Sequence, residues 1–144
     1  MSNQPAVVLM FPVQPHVYKF LQHKCGEKLS VKKQDLYGSI VLDILSKRGK
    51  VELSNTASLT YPVEICLHYI PHHGIFIDSR VIRKFNLRLD KMFREEMRTY
   101  VSVSHANNAI SKREALRQFL KAYSIEEDDI KMETLLKDLG RNID

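Results

Sequence analysis

Residues 80–98 read RVIRKFNLRLDKMFREEMR, with seven Arg or Lys against three acids. Setting Ile82 at zero and advancing 100° per residue brings Ile82, Phe85, Leu89, Met92, Phe93 and Tyr100 within about 80° of one direction. On the same construction Arg80, Arg83, Lys84, Arg88, Lys91, Arg94 and Arg98 fall between roughly 100° and 240°. The pattern predicts a long amphipathic helix from Asp78 or Ser79 to about Val101. Its apolar face meets a core, its basic face is turned outward, and Asp78 or Ser79 caps its first turn.

Working outward, the chain before this helix mixes short helical and strand signals. Ala6–Phe11 is β-forming and ends at Pro12. HVYKFLQHK (16–24) reads as a short helix stopped by Cys25 and Gly26. QDLYGSIVLDILSKRGK (34–50) repeats apolar residues at helical spacing, with Gly38 as a weak point and Lys47, Arg48 and Gly49 as a C-terminus. Residues 54–62 read as a loop. Val63, Ile65, Leu67 and Tyr69 then alternate with Glu64, Cys66 and His68, the period of a half-buried strand. Pro71–Gly74 reads as a turn, and Ile75–Ile77 as the partner strand of a hairpin.

After the long helix, residues 105–110 break the pattern. Two shorter helices are expected at about 112–123 and 126–139. Each opens on a capping box, Ser111 with Glu114 and Ser124 with Glu127, and Gly140 is the expected stop. The fold class is therefore α+β: N-terminal helices and a small antiparallel hairpin or sheet, a long amphipathic helix, and a C-terminal helical pair. At 144 residues with 44% apolar content, one domain is expected, a body of about 1–104 and a tail of about 105–144.

Two cysteines are too few for a disulfide framework, and the N-terminus lacks the basic region of a secretion signal. No apolar stretch approaches the roughly 20 residues that cross a bilayer. A cytoplasmic protein without membrane contact is the expectation.

The net charge of +5 leans towards an anionic partner. The basic stripe, about 28 Å long, can lie along several phosphates of double-stranded DNA, and arginine forks suit phosphate oxygens. Arg80, Arg83, Lys84, Arg88, Lys91, Arg94 and Arg98 are thus the candidate nucleic-acid contacts. The tail does not suit DNA, since the expected start of its last helix, Glu126–Asp129, is four carboxylates. A contact with a protein partner or a second copy suits it better, through Leu116, Phe119, Leu120, Tyr123, Leu135, Leu136 and Leu139. The basic helix and the acidic pair could also join copies head to tail.

Catalytic signals are weak. Cys66, His68, His72 and His73 are metal-ligand types, without the CxxC pairing of a structural zinc site. No P-loop, GxGxxG, GxSxG or HExxH occurs. No cofactor and no resident metal are expected. A metal-dependent hydrolase built on the His72–His73 turn with Asp78 is the minority alternative to a non-enzymatic accessory protein.

FNLRLDKMFREEMRTYV (85–101) and ALRQFLKAYSIEEDDIKMETLLKDLGR (115–141) resemble segments of small proteins carried by bacterial phages and integrated elements. The resemblance covers under half the chain and implies a setting where DNA transactions and their regulation are common. It carries over no functional residue.

Overall fold

The computed structural model describes residues 5–45 and 59–142. Among them the chain forms six α-helices and a three-stranded mixed sheet, the α+β architecture expected. Strand β1 (Ala6–Pro12) is apolar and uncharged. Helix α1 (Pro15–Cys25) starts with proline at its first position, where the missing N–H costs nothing, and ends at Gly26 with φ 83°. Strand β2 (Leu29–Ser30) and helix α2 (Leu36–Ile44) follow, then strand β3 (Thr60–Cys66). The Lys47–Gly49 helix end and most of the 54–62 loop lie outside the described residues, and α2 itself has ended at Ile44. Thr60–Pro62, expected in that loop, begin β3.

Sheet order is β1-β3-β2. β1 runs antiparallel to β3, from Ala6 opposite Cys66 to Pro12 opposite Thr60, and β2 lies parallel to β3, with Leu29 opposite Val63. Backbone bonds from Leu67 N to Pro5 O and from Val13 N to Leu59 O bracket the β1–β3 ladder. Odd-numbered β1 residues therefore bond to β3, and even-numbered ones turn their N–H and C=O to the outer side. This explains the proline in the central strand. Pro62 sits opposite Met10 at a non-bonded pair, so its missing N–H falls on the far side, below the start of β2.

The expected hairpin between residues 63–69 and 75–77 does not form. Leu67–Tyr69 is a 3-10 turn, and Ile70–His73 winds into a one-turn helix α3, with Pro71 in its first turn and Gly74 (φ 83°) ending it. Residues 75–77 carry one isolated bridge at Phe76. Proline suits a first helical turn better than a strand, and β1 already fills one flank of β3.

Helix α4 (Ser79–Asn108) begins as expected, with the Asp78 carboxylate accepting from Arg80 N and Val81 N. It does not stop near Val101. Val101 and Ser104 are buried, and the helix continues until Ala109 adopts a left-handed φ of 54°. Packing against α5 (Lys112–Ala122) overrides the poor helix propensity of SVSHANN. The Ser111 hydroxyl accepts from Glu114 N, the serine half of the expected capping box, while the Glu114 carboxylate accepts from Arg117 Nη1 at 3.0 Å. The second box is not a cap: Ser124 has φ 57°, residues 126–130 form turns, and α6 (Met132–Asn142) starts six residues later than expected. Glu127 still serves it, accepting from Met132 N. Gly140 lies within α6 rather than ending it.

One core joins body and tail. Phe20, Phe93, Phe119 and Tyr123 form a chain of ring contacts, with centroids 5.8 Å, 5.5 Å and 5.0 Å apart along that order. Tyr123 O–H also donates to Glu96 of α4, which accepts from Lys24 at 3.1 Å. Gly38, which looked like a weak point of α2, is required where it stands, because a Cβ there would strike the Lys32 backbone. Gly38→Ala is expected to lower stability by about 1–2 kcal/mol, despite alanine's better helix propensity. Urea unfolding measures this, and a stabilised variant would show that the loop to Lys32 moves aside freely.

Candidate nucleic-acid interface

The buried seam of α4 is Val81, Phe85, Leu89, Phe93, Met97 and Val101. Steps of four residues turn 400°, so the seam drifts by about 40° per step around the helix. Near its N-terminal end the seam meets β1 through Phe85 and Phe11, and further along Phe93 packs between Phe20 of α1 and Phe119 of α5. Ile82 and Met92 are consequently only half-buried and Tyr100 is exposed, although all three fall on the expected apolar face.

The same drift divides the seven basic residues. Arg80, Arg83, Lys84, Arg88 and Lys91 are exposed. Arg94 and Arg98 are half-buried and turned to α6. Arg98 Nε donates to Asp138 Oδ1 at 2.7 Å and its Nη2 to Oδ2 at 2.9 Å, while Arg94 Nη1 donates to the same Oδ2 at 3.0 Å. Arg94 Nε also reaches Asp90 Oδ2 at 2.9 Å, and Asp90 Oδ1 meets His16 Nε2 at 2.7 Å. A chain of side-chain hydrogen bonds thus runs His16–Asp90–Arg94–Asp138–Arg98 and ties α1, α4 and α6 together. The Arg98 hydrogen bond, against the effect of burial, holds Asp138 below the usual carboxylate range. Burial alone would raise Asp90, but His16 and Arg94 outweigh it and hold it low.

Of the exposed five, Arg80 lies 3.6 Å from the capping Asp78. Arg83, Lys84, Arg88 and Lys91 have no ion pair among the described residues. With Arg80 at zero on the helical wheel, the five fall between about −60° and +80° and span about 16 Å of axis. Leu87, 61% exposed, sits in their midst. Two open grooves flank this ridge. One, of about 840 Å³, is lined by the Pro12–His16 turn, Arg83, Leu87, Asp129 and Ile130. The other, of about 550 Å³, runs between Leu36 and Tyr37 of α2 and Arg88 and Lys91.

The acidic run is engaged in structure. Asp129 pairs with Lys19 at 2.6 Å and also accepts from Glu126 N. The expected contact surface of the tail is not a surface. Leu116, Phe119, Leu120, Tyr123, Leu135 and Leu139 are buried in the common core and Leu136 is half-buried, because α5 and α6 close over α4 rather than presenting an apolar face.

The histidine-rich turn is also differently built. His73 Nδ1 meets the Leu42 carbonyl at 3.1 Å, His68 packs on Tyr69, and Asp78 is occupied as the helix cap. Among the described residues no three His, Cys, Asp or Glu side chains cluster to hold a metal ion. Cys25 and Cys66 are free thiols. Burial, aided by the Asp35 charge, pushes the Cys25 thiol up to about 11. Its native-state alkylation at pH 8 is expected to be slower by about tenfold or more than that of the unfolded chain, since only the thiolate attacks. Equal rates in the two states would contradict this.

Sequence reasoning missed Asp138 and its bonds to Arg94 and Arg98. The Asp90–Arg94 pair was visible as an i, i+4 spacing, whereas nothing local marks Asp138 as their partner. Among the described residues no helix is long and apolar enough to cross a membrane. Compared with protein-family models, with curated proteins and with solved structures, the chain gives no match.

Proposed function

We propose that the protein is a non-enzymatic accessory protein that binds nucleic acid, holding the phosphate backbone with Arg80, Arg83, Lys84, Arg88 and Lys91. One observation carries this reading: four of those cations stand exposed on one face of a rigid helix with no ion pair among the described residues. Surface cations with intramolecular partners are already neutralised, as Arg94 and Arg98 are. Cations without partners release counterions when phosphates replace those ions, which drives association. The contacts position a backbone and read no bases, since the stripe carries no base-reading module. Binding of a labelled random-sequence duplex across a salt series tests the reading.

Leu87 favours a second reading, a protein partner that is both acidic and apolar. Phosphate contact alone predicts that Leu87→Ala leaves duplex affinity within about twofold. A chain that ignores nucleic acid at low salt would leave the protein partner as the better account.

A further inference from the structure

Strand β1 is an edge of the sheet, and among the described residues no strand lies beyond it. Ladder parity turns the N–H and C=O groups of Ala6, Val8 and Met10 to that open side. Pro12 belongs to the same outward set, and its carbonyl accepts from Asn86 Nδ2 of α4 at 3.0 Å. Among the described residues the edge is therefore closed at Pro12, which has no N–H to offer, and open from Ala6 to Met10. The side chains agree. Val8 is 53% and Met10 43% exposed, while Val7 and Leu9 are only half-buried although they share the inward face of the fully buried Phe11.

Folded proteins usually guard such an edge with charge, proline or a bulge. PAVVLMFPV (5–13) contains no charged residue, in a chain of net charge +5. It is a segment where two copies can meet without like-charge repulsion. We propose that β1 pairs antiparallel with β1 of a second copy, two-fold symmetric about Val8, so that the sheets of both chains become one. Symmetry and donors select the register together. With Val8 opposite its own copy, Ala6 falls opposite Met10, and each pair exchanges two N–H···O bonds. All three outward donors are then used. Moving the centre towards Pro12 loses a donor, and a one-residue slip sets inward-bonding residues against the partner. One strand pair is smaller than a standard interface, so a micromolar dimer is expected. This inference does not depend on the nucleic-acid reading.

Sedimentation velocity of the full chain, from low to high micromolar concentration, should show the mass rising towards twice the monomer. Val8→Pro removes one outward donor and leaves the β3 ladder intact. It should weaken association about tenfold or more while keeping the circular dichroism of the native fold. Val8→Lys, which keeps the backbone and adds like charge, should do the same. Amide exchange at Val8 and Met10 should slow as concentration rises. A chain that stays monomeric at the highest concentration would overturn the proposal and leave the edge to an extended segment of another protein. So would a dimer that both Val8 variants leave intact, and a dimer dissolved instead by reversing Arg83 and Arg88 would place the contact on α4.

Discussion

Asp138→Ala is expected to lower the folding stability by about 3 kcal/mol and the midpoint of thermal unfolding by about 10 °C. The carboxylate is 8% exposed and accepts three guanidinium bonds from Arg94 and Arg98. Deleting it loses those bonds and leaves half-buried Arg98 without its carboxylate beside Arg94, which keeps only Asp90, and removing one partner in this way costs more than a pair contributes. The arginines retain some solvent, so the lower end of the range for broken buried pairs applies. The acid side of the stability curve follows from the same groups. Asp138 and Asp90 are held below the ordinary carboxylate range in the folded chain. Their contribution is complete above the unfolded carboxylate pKa near 4 and is lost as pH falls through the lower folded values. Urea unfolding of wild type and Asp138→Ala at neutral and acid pH measures both effects. The difference between the two proteins should shrink as the pH drops. A loss under 1 kcal/mol at neutral pH would mean that the chain of hydrogen bonds does not brace α6.

Arg83→Glu with Arg88→Glu is expected to weaken duplex binding about 100-fold at fixed low salt, because two phosphate contacts become two repulsions. Neither residue has an intramolecular ion pair among the described residues, so the thermal midpoint should hold. Arg98→Ala gives the opposite signature. It removes both bonds of Arg98 to Asp138 and lowers stability, while leaving the salt dependence of binding unchanged. This pair of variants separates the five-residue interface from the seven-residue stripe read on the helical wheel. Equal losses of binding would restore Arg98 to the contact surface.

The split of that stripe shows where a sequence pattern stops being informative. A wheel drawn for one core direction represents a helix with one neighbour. Over 30 residues α4 meets β1, α1 and α5 in turn, and a seam stepping by four drifts with them. Arg94 and Arg98 had basic outer positions on paper, and Asp138, 40 and more residues away, claims them both. Local signals fared better. The Asp78 cap, the Ser111 cap and the Gly26 stop each involve a few adjacent backbone groups, and all three occur. Ser124 and Glu127 carry the same letters as a cap. Yet Ile125 is buried and Ser124 takes a left-handed φ, so the chain turns before α6 begins. The strand partner of β3 was beyond local reading, since β1 residues lie 48 to 60 positions upstream of their partners and nothing in residues 75–77 marks them as second choice. The tail leucines were read as a contact surface for a related reason: apolar periodicity announces burial and does not say whether the cover is the same chain or another.

Fluorescence anisotropy of a labelled random-sequence duplex, titrated with the wild-type chain between about 50 and 200 mM salt, decides whether the ridge on α4 grips phosphate. Four to five phosphate contacts predict a log–log slope of about −4, so that affinity falls about 100-fold or more across the series. No binding at the lowest salt, or binding that salt leaves unchanged, would contradict a phosphate grip by Arg80, Arg83, Lys84, Arg88 and Lys91.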